Sequence, residues 1–154
     1  ENDISKHNGK IDEGRILLVF RSLVTQLSKE HEKFVYGCVK QGARAREFEV
    51  AIEWLVSAGL VLRVYDVKKP EHPLKVFEDF SSFKLFFFDV GLAKYAAGVS
   101  NESIILNTGF QFKGALTENY CLQQFRGQFE VFPHYYSPLR NYEVDFLLRK
   151  FQLS

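Results

Sequence analysis

The chain has 154 residues, 46% of them hydrophobic and 25% charged, with a formal net charge of +1. That balance is ordinary for a globular protein and excludes any bulk electrostatic attraction to nucleic acid or membrane, so local clusters must carry such a role. No apolar run reaches the ~18 residues of a membrane helix, no signal peptide opens the chain, and Cys38 and Cys121 form neither a disulfide framework nor a metal-ligand spacing. The expectation is a cytoplasmic protein in a reducing setting, with no membrane partner.

Sixteen Phe and seven Tyr point to a core of large side chains or to an aromatic surface meant for a partner. There is no methionine, not even at position 1, which reads as an excerpt or processed product of a longer protein.

Asp12 is placed to cap a helix starting near Glu13, and Leu17, Phe20, Leu23, Val24 and Leu27 recur at helical spacing up to about Ser28. The charged stretch 29–33 marks a turn, and Phe34-Val35-Tyr36 reads as a short extended piece. After Gly42 a second helix is expected from about Arg44. Phe48, Ile52, Leu55 and Ala58 form its buried stripe, and Gly59 ends it. Residues 60–65 read as a strand, a loop holds Lys68, Lys69, Pro70 and Pro73, and Lys84 to Phe88 is a second strand. Helix, short extended piece, helix and two-stranded ribbon is the order of a winged helix-turn-helix, placed at residues 1–90. It serves either as a connector or as a DNA-contacting module.

Asp89 caps a short helix ending near Gly98, and Ser100 to Thr108 is a polar connection. A helix then runs from Gly114 to about Arg126, ended by Gly127. Strands at 131–136 and 142–148 are joined by the turn-rich segment Ser137 to Asn141. Residues 91–154 make the second unit, so the fold class expected is α+β.

Glu118 falls inside the apolar stripe of Ala115, Leu122 and Phe125, where a carboxylate needs a partner. In the last strand Glu143, Asp145 and Leu147 share a face. Two readings stand. Glu118 and Asp145 hold a hard cation such as Mg²⁺, or Glu143 is a solvated strand-end residue and Glu118 pairs with Arg126, Arg140 or Lys113.

At these residues the chain resembles the C-terminal region of bacterial and archaeal AAA-type ATPases that carry a domain of restriction-endonuclease-like fold. Glu1-Asn2-Asp3-Ile4 resembles the stretch after the ATPase core. Lys33-Phe34-Val35-Tyr36, Ala43-Arg44-Ala45-Arg46, Glu53-Trp54-Leu55 with Ala58-Gly59-Leu60, Pro73-Leu74-Lys75 and Phe83-Lys84-Leu85 with Asp89-Val90-Gly91-Leu92 resemble its winged-helix connector. Gly114-Ala115-Leu116-Thr117-Glu118-Asn119, Tyr135-Tyr136 and Glu143-Val144-Asp145-Phe146 resemble the nuclease-like domain. The resemblance implies that Glu118 matches the helix glutamate and Asp145 the strand aspartate of a metal site, with Glu143 in a supporting role. The following Glu-x-Lys has no match before Ser154. No catalytic set is complete, and residues 91–154 correspond to the first part of such a domain. No Gly-x-x-x-x-Gly-Lys-Ser/Thr loop is present, so ATP and Mg²⁺ belong to the full-length parent and its upstream ATPase core.

Three functions follow as expectations. The first is a nucleic-acid-directed module, with Arg44 and Arg46 at a helix start and Lys68, Lys69 and Lys75 in the loop as phosphate contacts; Glu47 and Glu49 could instead balance the two arginines locally. The second is a protein-interaction or regulatory domain, motivated by the aromatic load. The third is a metal-dependent nuclease, in the parent only.

Overall fold

The computed structural model describes residues 12–29, 33–105, 112–129, 132–139 and 142–148. In chain order these are α1 (Glu13–Ser28), α2 (Ala45–Ser57), β1 (Val61–Val67), β2 (Glu78–Phe87), α3 (Val90–Ala97), α4 (Asn101–Ile105), α5 (Lys113–Phe129), β3 (His134–Leu139) and β4 (Tyr142–Leu147). Short 3₁₀ turns lie at Tyr36–Cys38 and Leu74–Phe77. The fold is α+β, built on one sheet of order β2-β1-β3-β4.

Local chemistry sets the helix ends. Asp12 accepts from the Arg15 amide at the start of α1, and Asp89 from the Leu92 amide at the start of α3. Gly59, at φ +70°, turns the chain out of α2 into β1, a conformation that side chains with a Cβ resist. β1 and β2 pair antiparallel from Val61↔Phe87 to Tyr65↔Phe83, and a bulge then shifts the register to Asp66↔Asp79. Phe34 N–H donates to Phe83 O at 2.7 Å, so the short extended piece expected there lies along the outer edge of β2.

The pleat of this hairpin divides the core. On one face Val61, Phe83, Leu85 and Phe87 pack against Val19 and Leu23 of α1 and Phe48, Ile52 and Leu55 of α2. On the other, Leu62, Val64 and Phe86 pack with Leu122 of α5 and Tyr135 of β3, and Phe146 of β4 leans on them. Burying a side chain of this size contributes about 1.5–3 kcal/mol, and the second face draws that stabilisation mainly from residues after 112, with Leu27 of α1 also packed against it.

β3 joins the sheet parallel to β1, registered at Asp66↔Tyr135, and pairs antiparallel with β4. The sheet is therefore continuous across the boundary expected near residue 90. α5 is tied to the hairpin by polar bonds from one helix face. The fully buried Asn119 amide accepts from Phe87 N–H at 2.9 Å and donates to Phe87 C=O at 3.0 Å, while Gln123, one turn on, accepts from Val90 N–H.

Several boundaries differ from expectation. Gly127 does not end α5, which continues to Phe129; a glycine inside a helix costs only about 1 kcal/mol. The polar connection after Ser100 holds a short helix, and β2 begins at Glu78 rather than Lys84. Ser137 to Leu139, expected as a turn, belong to β3; Val131 of the strand expected at 131–136 lies outside the described residues.

Candidate functional site

One of the three carboxylates pairs with a lysine, and a second lines a cavity beside it. Glu118 of α5 is half-buried and lines a small cavity of about 30 Å³ with Lys33, Phe34 and Lys84. Lys84 lies opposite Val64 in β2, and its Nζ donates to Glu143 Oε1 of β4. Both side chains of that pair are largely buried. The Lys84 ammonium also sits 5.3 Å from the Tyr135 ring centroid. Burial pushes the Glu143 carboxyl above its ordinary value; the Lys84 bond and charge oppose this, and neighbouring Asp145 adds to it. Glu143, expected in a supporting or solvent role, is the carboxylate turned inward, while Asp145 is exposed.

An ammonium already neutralises the inward carboxylate, and among the described residues no three of His, Cys, Asp and Glu form a metal-holding group. Of the alternative partners expected for Glu118, Lys113 and Arg126 do not line this cavity, and Arg140 lies outside the described residues.

A second cation is buried on the other face. Arg63, 8% exposed, donates from Nη1 to Glu53 at 2.8 Å and to Tyr65 Oη at 3.1 Å, with Glu49 at 3.0 Å, and its guanidinium covers the Phe83 ring. Burial alone would lower its pKa. The Tyr65 bond and the charges of Glu49 and Glu53 outweigh that and hold it above its ordinary value. Burial and the bond to Glu49 raise the Tyr36 phenol well out of the physiological range.

These bonds also orient the hairpin. The chain reverses at Gly59, and Arg63 of β1 then reaches back to Glu53 and Glu49 of α2. Arg44, Arg46, Lys68, Lys69 and Lys75 are all exposed. Among the described residues none of the five takes part in an ion pair. Of the two carboxylates expected to balance Arg44 and Arg46, Glu49 is engaged by Arg63 and Tyr36, and among the described residues Glu47 forms no ion pair with either arginine. Unlike α1 and α3, α2 begins with no side-chain cap.

A family model matches residues 1–103. The chain belongs to this family, described as a domain of unknown function, DUF8612. No curated protein and no solved structure matches the chain. The DUF8612 match contains Arg63, Lys84 and all five exposed cations, whereas Glu118, Glu143 and Asp145 lie beyond it.

Lys84, Arg63 and Asn119 were given no site role from the sequence, although Lys84 and Asn119 fall in segments that carry the resemblance. The available signal was a single charged residue set in an apolar strand run, Leu62-Arg63-Val64 and Phe83-Lys84-Leu85. A cation there implies a carboxylate arriving from another element.

Proposed function

We propose that this chain is a DNA-directed module of winged-helix type, joined in its parent protein to an AAA-type ATPase core. Its second half, on this reading, is a nuclease-like scaffold without a complete catalytic set. The observation that supports the proposal is that Arg44 and Arg46 at the start of α2 and Lys68, Lys69 and Lys75 in the loop after β1 are all exposed and, among the described residues, in no ion pair. The uncapped start of α2 supports it, since free helix-start amides favour phosphate. So does the bond from Phe34 N–H to the outer edge of β2, where a winged helix has its third strand. Lys84 supplies positive charge where the carboxylates would otherwise need a cation, which favours a structural role for Glu118 and Glu143.

Duplex DNA binding measured against salt tests this. If all five cations meet phosphates, the slope of log K against log salt is about −4.5, and Arg44→Ala with Arg46→Ala lessens it by about 2. A salt-independent affinity removes the proposal.

A second reading, a protein-docking face, is favoured by Val50 and Trp54. They lie one turn apart on α2 and are 68% and 38% exposed. Trp54→Ala separates the two: it leaves DNA affinity unchanged on the first reading and weakens partner binding on the second.

A further inference from the structure

β3 is registered with β1 only at Asp66, and a cavity of about 470 Å³ lies beside the first half of β1. That volume is within the range of small-ligand sites, about 300–1,000 Å³. Its walls come from both halves of the molecule: Arg63 of β1, Lys75 of the hairpin loop, Phe88, Arg126 of α5, Phe132 and His134.

Three observations define what it can hold. The Arg126 guanidinium lies 5.4 Å from the Phe88 ring centroid and 5.5 Å from that of Phe132, and the two rings are 45% and 47% exposed. Arg126 has no ion-pair partner among the described residues. The two carboxylates in the wall are already engaged, Glu53 by Arg63 and Glu78 by His134 Nε2 at 2.6 Å. Buried His134 keeps an Nδ1 with no hydrogen-bond partner among the described residues. A planar cation between two half-exposed rings offers an anion site and a stacking surface together.

We propose that this cavity binds an unpaired nucleotide, with its base stacked on Phe88 or Phe132 and its phosphate on Arg126, Lys75 assisting. Glu53 and Val56 of α2 also line the cavity, and of the five exposed cations only Lys75 does.

Calorimetric titration of the full chain with adenosine 5′-monophosphate, adenosine, inorganic phosphate and 5′-phosphorylated tetrathymidylate tests the proposal. The monophosphate binds at least tenfold tighter than adenosine or phosphate alone. Phe132→Ala weakens both adenosine compounds about tenfold, the scale of one lost stacking contact. Arg126→Gln erases the advantage of the monophosphate over adenosine, and Arg126→Lys restores part of it. Arg44→Ala with Arg46→Ala changes none of these values, so failure of the duplex reading and failure of this one are distinguishable. A tetranucleotide bound more than tenfold tighter than the monophosphate assigns the site to a strand end; equal affinities assign it to free nucleotide. No saturable binding of either at millimolar concentration overturns the proposal, as does binding unchanged in both Phe132→Ala and Arg126→Gln. If circular dichroism shows Arg126→Gln unfolded, Phe132→Ala, at an exposed ring, decides alone.

Discussion

The two faces of the β1–β2 hairpin each bury a cation, and they solve the same problem with opposite outcomes. Arg63 meets two carboxylates, a phenol and the Phe83 ring, and its charged form is favoured over that in water. Lys84 meets Glu143, whose own neighbour is another carboxylate, and the charged form of Glu143 is disfavoured. Compensation by several groups overcomes desolvation; compensation by one falls short. The Arg63 cluster is internal to the first hundred residues, whereas the Lys84 pair bridges to β4. The first stabilises, and the second aligns elements far apart in sequence.

The largest test is Arg63→Ala, which should cost about 2–4 kcal/mol in urea unfolding. The figure is below that for a fully buried pair because Glu49 and Glu53 are partly exposed and regain water. A loss under about 1 kcal/mol would erase the contrast between the faces.

Glu143→Ala should cost less, about 1–2 kcal/mol, by leaving the Lys84 ammonium largely buried beside the Tyr135 ring. The double change Lys84→Met with Glu143→Leu should restore wild-type stability or exceed it. If it is worse than either single change, the pair contributes net stability and the two faces are alike.

The smallest effect is in pH. Glu143 holds its proton more tightly in the folded than in the unfolded chain, because burial raises its pKa. The stability this contributes is fully present below the unfolded value of 4.5 and is lost as pH rises through the higher folded value. The stability of wild type relative to Glu143→Gln should therefore decline from pH 4.5 upward. A relative stability that climbs with pH would mean that Lys84 outweighs burial.

Much of the framework was legible because its signals are local. Asp12, Gly59, Asp89 and Gly98 mark helix ends through their own capping and φ requirements, and the stripes of α1 and α2 follow one period. The start of β2 was hidden because Glu78, Asp79, Ser81 and Ser82 form a polar, bulged stretch without alternation. The Ser137-Pro138 segment reads as a turn, yet Pro138 lies past the one position registered with β1, so its missing N–H withdraws no bond from that ladder.

At the carboxylates, period placed Glu118 inward. It could not rank Glu143 against Asp145, which share a face. What separates them is the reach of Lys84, 59 residues away, and pairing over that distance leaves no pattern in one chain.

The sheet crosses the limit of the DUF8612 match, and this bears on how the protein can be divided. A fragment ended at residue 103 sheds α5, β3 and β4, baring Leu62, Val64 and Phe86 and releasing both peptide groups of Phe87 from Asn119. An apolar strand surface beside an open edge invites intermolecular strand pairing. Such a piece should precipitate where the 154-residue chain stays dispersed, so useful expression limits follow the sheet rather than the family match.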